Sequence, residues 1–178
     1  MRARLIQLCG IAIIALGVLS ALLPIADGVP TLSIGLLLLA SGAIEIYAGT
    51  LRQEVHRFAA SAGAVTAFAG LMVLFNPSSH LFPTVWPVIL WLLARSFILF
   101  WSSRHTGGAV RTWTGISAGM DLVLAILLVF GLSIATLIVG LFGPTPPLIA
   151  SFAWVLAASF VVTGNLLLEV AYCERAAT

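Results

Sequence analysis

The sequence contains no lysine, few charged residues of any kind and only two cysteines. Of its 178 residues, 61% are hydrophobic and 8% are charged, whereas an ordinary soluble domain has about 25% charged residues. A soluble protein with so few charges would expose apolar patches far larger than the few hundred Å² that monomers tolerate. The scarcity of charge therefore excludes a soluble globular domain and predicts an integral membrane protein.

Several chemistries are also missing. All eight basic residues are arginines, scattered singly rather than gathered into the stripe that nucleic-acid binding needs. Cys9 and Cys173 have neither a disulfide framework nor metal-ligand spacing around them, and we interpret both as packing residues. No metalloprotease, serine-hydrolase or phosphate-loop motif occurs. We therefore expect no enzyme activity, no catalytic residue, no metal and no cofactor.

Charge-free runs of membrane-spanning length alternate with short polar or proline-containing connectors. A span needs about 20 apolar residues, and the runs predict helices at about 5–25, 31–50, 58–75 and 82–102, with two more within 122–168. The first run has 22 uncharged residues, which is long for a signal peptide, so we interpret it as a retained span. The longest connector is predicted at 103–113. The sequence thus predicts an all-α integral membrane protein with six transmembrane helices in a single domain over residues 1–178.

The arginines predict the orientation of these helices. The N-terminus, two alternate connectors and the C-terminus contain Arg2, Arg4, Arg52, Arg57, Arg104, Arg111 and Arg175, and the other three connectors contain none. By the positive-inside rule, both termini are cytoplasmic. We expect these arginines, with His56 and His105 among them, to contact anionic lipid headgroups.

Glycine and proline spacing predicts an internal repeat. The same seven-residue spacing occurs twice, 53 residues apart, in Gly10, Gly17 and Pro24 and in Gly63, Gly70 and Pro77. In the third hairpin, Ala118 and Ala125 match the glycines, but Leu132 stands where the proline would be. The connector of this hairpin is also displaced along the chain, which implies a longer fifth helix. We predict three parallel helical hairpins, at about 5–50, 58–102 and 114–172, around a pseudo-threefold axis.

Small residues also recur every seven positions along single helices, in Gly35, Gly42 and Gly49 and in Ala150, Ala157, Gly164 and Ala171. We interpret these rows as close helix-packing surfaces, because in lipid close backbone packing replaces the hydrophobic effect. Thr66 and Asn165 are single polar groups that we expect to bond a neighbouring helix.

Four ionisable residues lie inside predicted spans: Glu45, Arg95, Asp121 and Glu169. A charge at the centre of a membrane helix costs about 2.5–3.5 kcal/mol on insertion scales, so such residues are the first candidates for function. Counting residues to the cytoplasmic end of each helix places all four in one layer, roughly 6–11 Å below the surface.

Three interpretations of this layer stay open. In the first it is a structural lock, with Arg95 paired to Asp121 or Glu45 and Glu169 reaching to the interface. In the second it is a proton or cation site, because three carboxylates beside one guanidinium cannot all be ionised cheaply, and Asp121 is the deepest acid. In the third, Arg95 binds an anionic headgroup or a polar ligand.

His80 lies in a short connector on the external side. Because histidine ordinarily changes charge between pH 5 and 8, it is a candidate acid sensor. The alternative is an ordinary solvated loop residue.

Part of the sequence resembles the HdeD family of bacterial acid-resistance inner-membrane proteins. The resemblance lies in the two glycine-to-proline hairpins, in the helix ending Gly42-Ala43-Ile44-Glu45, and in the segment Trp91-Leu92-Leu93-Ala94-Arg95. It covers the first two hairpins well and the third poorly, and Ser96 stands where a glycine is expected. The resemblance implies a bacterial inner (plasma) membrane location and a non-enzymatic structural or interaction role in acid stress.

The alternative function is a small proton or solute conductor or transporter that uses the intramembrane layer. Against it, the external halves of the predicted helices carry no charge except Asp27 at the mouth. A pocket open only to the cytoplasm would suit a ligand or lipid better. The lipid bilayer is the expected partner, and a homo-oligomer is left open.

Overall fold

The computed structural model describes residues 2–22, 31–52, 55–75, 81–142 and 146–176. These residues form six α-helices and no strand: α1 Arg2–Ala21, α2 Thr31–Leu51, α3 His56–Phe75, α4 Leu81–Ser103, α5 Gly108–Phe142 and α6 Pro146–Ala176. Each helix contains a described stretch that is long and apolar enough to cross a membrane. The predicted all-α class and the number of spans are confirmed, and the chain is a multi-pass membrane protein.

The connector between α4 and α5 is shorter than predicted. It comprises residues 104–107, because α5 already begins at Gly108, well inside the predicted connector 103–113. Gly108 has a φ of 57°, a left-handed conformation that glycine adopts without steric cost. The polar residues after Gly108 are therefore helical, and α5 reaches 35 residues. The longer fifth helix was expected.

Each helix packs against the next one along the chain, and α6 returns to pack against α1. The most extensive interfaces are α2–α3, α1–α6 and α4–α5, while α3–α4, α5–α6 and α1–α2 are smaller. The helix pairs predicted as hairpins are thus the smaller interfaces. The arrangement as three parallel repeats stays a prediction.

The α2–α3 interface is a backbone contact along a row of glycines. A Cβ on Gly63 would lie 2.6 Å from the backbone nitrogen of Ile46, and one on Gly42 would lie 2.7 Å from Ala67 Cα. No real Cβ tolerates such distances, so only glycine fits. The heptad row predicted from the spacing of the α2 glycines does pack against a helix.

The α1–α6 interface is also a close backbone contact at glycines. A Cβ on Gly10 would lie 2.9 Å from the carbonyl oxygen of Gly164, and one on Gly164 would lie 2.7 Å from that of Gly10. Close backbone approach of this kind is how helices associate in lipid. The outward faces carry large apolar side chains instead, such as Phe75, which is 83% exposed.

The arginine-bearing segments meet at one end of the bundle. Arg175 near the end of α6 donates to the side-chain oxygen of Gln7 in α1. At the same end, the ring of Phe58 in α3 stacks on His105, with ring centroids 5.5 Å apart. A cavity lies between the ends of α2 and α6 and the start of α5, and its lining includes Arg52, Gly108 and Glu174. We call this the arginine-bearing end.

Candidate functional site

Arg95 lies in the middle of the bundle on α4, with only 2% of its surface exposed. Its Nη2 donates to Oε1 of Glu45 on α2 at 2.8 Å, and its Nη1 donates to Oδ2 of Asp121 on α5 at 2.6 Å. Both contacts are ion pairs between buried groups. A single guanidinium therefore joins three helices, because its planar array of N–H groups can reach two carboxylates at once.

Two hydroxyl groups of α6 complete the contacts of this guanidinium. Ser159 and Thr163 are four residues apart, which places them on one face of the helix. Arg95 Nη1 donates to Ser159 Oγ at 3.2 Å, and Nη2 donates to Thr163 Oγ1 at 2.5 Å. Ser159 Oγ in turn donates to Oδ1 of Asp121 at 2.8 Å. Thr163 Oγ1 donates to the Ser159 carbonyl at 2.7 Å. Both oxygens of Asp121 therefore accept a hydrogen bond.

The second oxygen of Glu45 faces α3. Thr66 Oγ1 lies 3.4 Å from Glu45 Oε2 and 3.0 Å from the carbonyl of Ala62, so its single proton serves one of these acceptors at a time. Trp91 Nε1 donates to the same hydroxyl at 2.9 Å. We call the set Glu45, Thr66, Trp91, Arg95, Asp121, Ser159 and Thr163 the Arg95 centre.

The Arg95 centre is buried, and its formal charges do not cancel. Glu45 is 7% exposed and Asp121 is 1% exposed. With both carboxylates ionised, the charges of one arginine and two acids sum to −1. Charges this deep persist only when they are paired and hydrogen-bonded. The contacts above supply that pairing. The centre can therefore hold both carboxylates ionised, or one ionised and the other protonated.

Not every buried polar atom of this region has a partner among the described residues. Arg95 Nε and the hydroxyls of Ser41 and Ser117 form no hydrogen bond there. Ser41 lies one turn before Glu45 on α2, and Ser117 lies one turn before Asp121 on α5. Polar groups thus extend one helical turn beyond both carboxylates.

The structure brings together three of the four predicted layer residues. Glu169 is partly exposed, and neither ion pair recorded among the described residues includes it. His80, the predicted acid sensor, lies outside the described residues. Within those residues, no group of three or more histidine, cysteine, aspartate or glutamate side chains could hold a metal ion.

Only part of the polar surroundings of the centre was predicted from the sequence. Thr66 does bond neighbouring helices as expected, but Asn165 does not, because its Nδ2 donates to the carbonyl of Val161 on its own helix at 2.9 Å. Ser159 and Thr163 were not among the predicted residues. Their four-residue spacing on an otherwise apolar helix was the signal that could have identified them.

A scan against protein-family models finds no match to this chain, and neither the curated proteins nor the solved structures contain a significant one. The geometry of the Arg95 centre is therefore the main ground for any functional proposal.

Proposed function

We propose that this protein is a non-enzymatic, structural or interaction component of acid tolerance in the bacterial inner membrane, with both termini in the cytoplasm. The resemblance to the HdeD family supports the cellular role, on the residues given above. The clustering of arginines at one end of the bundle supports the orientation, since positive side chains are retained on the cytoplasmic side.

The observation that carries the molecular part of the proposal is the double pairing of Arg95. Its guanidinium holds Glu45 of α2 and Asp121 of α5 at 2.8 and 2.6 Å, and it also bonds α6. A hydrogen-bonded ionic network in low dielectric favours one arrangement of the groups that form it. The Arg95 centre thus acts as an internal lock that holds the helices of the bundle in register.

A proton conductor is the second candidate, and one observation favours it. Two carboxylates share a single guanidinium, so the centre has a place for one proton. Conduction also needs a polar route to both sides of the membrane. Beside the guanidinium, Trp91 of α4 and Phe160 of α6 are both buried and pack edge to face with ring centroids 6.5 Å apart. Close ring packing of this kind leaves little room for water beside the guanidinium, which favours the lock over the conductor.

Proton flux into liposomes distinguishes the two candidates. The purified wild type is compared with Asp121→Asn and with Glu169→Gln, a matched control that changes a carboxylate of the bundle outside the Arg95 centre. We expect no flux above that of empty liposomes for any of the three. Asp121→Asn should lose about 1–3 kcal/mol of stability, because it weakens the hydrogen bonds of buried partners, while Glu169→Gln should unfold like wild type.

Flux that is present in wild type and absent in Asp121→Asn would overturn the lock and establish the conductor. The cellular role is tested separately, by deleting the gene in its own bacterium and measuring survival at low pH. Survival should fall, and wild type but not Arg95→Leu should restore it. Unchanged survival after deletion would contradict a role in acid tolerance.

A further inference from the structure

A second site lies at the arginine-bearing end, where α3 begins and α4 has just ended. A cavity of about 390 Å³ opens there, lined by Val55, His56, Arg57, Phe58 and His105. Every ionisable side chain among these lining residues is basic. Arg57 therefore supplies a positive charge to the cavity, and the two imidazoles supply further hydrogen-bonding nitrogens, as an anion-binding site requires.

His105 is held in place at the wall of this cavity. Its ring stacks on Phe58 with centroids 5.5 Å apart, and its Nδ1 lies 3.0 Å from the carbonyl oxygen of Trp101. Because a carbonyl can only accept, Nδ1 carries the hydrogen of this bond. The stacking and this bond together fix the orientation of the imidazole at the cavity wall.

The start of α3 concentrates further positive potential at the same place. His56 and Arg57 occupy the first turn of α3, where the helix dipole is positive and cations are disfavoured. Val55, just before them, has a φ of 53°, which is a strained conformation for a β-branched residue. An anion in the cavity would interact favourably with Arg57 and with the positive end of the α3 dipole, as anions at helix N-termini do.

An exposed aromatic stripe runs along α4 towards this end. Phe97, Phe100, Trp101 and Arg104 follow the spacing of a single helix face, and all four are exposed. The Arg104 guanidinium carbon lies 5.0 Å from the centroid of the Phe100 ring and 5.7 Å from that of Trp101. Trp101 is also next to the cavity, with its ring centroid 6.4 Å from that of His105. Aromatic residues at this level are typical of the membrane interface.

We propose that this cavity binds the phosphate of an anionic phospholipid, with an acyl chain lying along the stripe of Phe97, Phe100 and Trp101. The basic lining accounts for the headgroup and the adjacent apolar stripe accounts for the chain. The site is separate from the Arg95 centre and does not depend on the proposed function. Of the described arginines at the arginine-bearing end, Arg57 is the one that lines this cavity.

The test measures lipid binding to the purified protein in neutral detergent, with phosphatidylglycerol as the probe and phosphatidylcholine as its zwitterionic counterpart. Bound lipid is counted by native mass spectrometry in a titration. We expect wild type to prefer phosphatidylglycerol and Arg57→Gln to bind it about fivefold more weakly, the loss expected for one basic side chain near an anionic lipid surface. Adding His105→Gln should weaken it further.

Arg111→Gln is the matched control, because Arg111 is exposed at the start of α5 and does not line the cavity. It removes the same charge from the same end and should leave binding unchanged. An equal loss in Arg111→Gln would show that only the overall charge of the surface matters, and would overturn the proposal. So would the absence of any preference for phosphatidylglycerol.

A further arm adds inorganic phosphate in excess over the lipid. The proposal requires the lipid to stay bound, because the stripe contributes through the acyl chain. Displacement of phosphatidylglycerol by inorganic phosphate would assign the cavity to a soluble phosphate compound and would overturn the lipid assignment.

Discussion

The α2–α3 and α4–α5 interfaces are both extensive, but they are built in opposite ways. Along α2–α3, Gly42 and Gly63 bring the two backbones into contact. Along α4–α5 a hydrogen bond from Ser96 Oγ to the Ala118 carbonyl, at 2.8 Å, accompanies the pair of Arg95 and Asp121. Gly119 of α5 takes no part, since no described atom lies within 4 Å of where its Cβ would be.

Two kinds of attraction replace the hydrophobic effect between the helices of this bundle. Lipid solvates apolar side chains as well as a neighbouring helix does, so apolar surface alone does not hold two spans together. The α2–α3 interface gains its attraction from close contact over many atoms. The α4–α5 interface gains it from a few polar bonds whose loss would leave groups unpaired in low dielectric.

The largest effect should come from removing the guanidinium of the polar interface. Arg95→Leu leaves two buried carboxylates without a counter-ion and should cost about 3–5 kcal/mol. Unfolding in mixed micelles with a denaturing detergent measures the loss. Combining Arg95→Leu with Glu45→Gln and Asp121→Asn should recover much of it, because no unpaired charge is left. If Arg95→Leu alone proved as stable as wild type, the structural role of the Arg95 centre would be contradicted.

The next effect should come from adding one methyl group to the backbone interface. Gly42→Ala places a Cβ against the backbone of Ala67 and should cost about 1–3 kcal/mol, as overpacking does. Gly119→Ala is the control, with the same chemical change where no described atom is near, and it should unfold at the same temperature as wild type or slightly higher. Equal effects in the two variants would mean that helix propensity, rather than contact, decides.

The smallest effect should come from the hydrogen bond of Ser96. Ser96→Ala removes one bond between α4 and α5 and should cost about 0.6 kcal/mol, the mean for such bonds between membrane helices. Ser61→Ala serves as control, because Ser61 Oγ donates at 2.9 Å to the Phe58 carbonyl of its own helix. A loss in Ser61→Ala as large as in Ser96→Ala would show that the interhelical bond adds nothing.

The number of helices could be predicted from the sequence because each span needs about 20 uncharged residues, and such runs are visible without any tertiary information. The heptad row that contains Gly42 was visible for the same reason, but the helix it contacts was not. The depth of Glu169 could be counted, but its direction could not. Glu169 follows Thr163 by six residues on α6, and at about 100° per residue the two side chains are roughly 240° apart around the helix. Because Thr163 faces Arg95, Glu169 points away from it.

The order in which the helices are made bears on how the Arg95 centre assembles. Glu45 precedes its partner by 50 positions in the chain, so during synthesis α2 is complete before the residue that neutralises Glu45 exists. In that interval Glu45 of α2 has no counter-ion, and the polar group nearest to it on α3 is the hydroxyl of Thr66. The contact of α2 with α3 through Gly42 and Gly63 needs no charge, so it can form at once and retain α2 beside α3. The contacts of the glycine interface are therefore independent of α4, whereas the Arg95 centre needs α2, α4, α5 and α6 together.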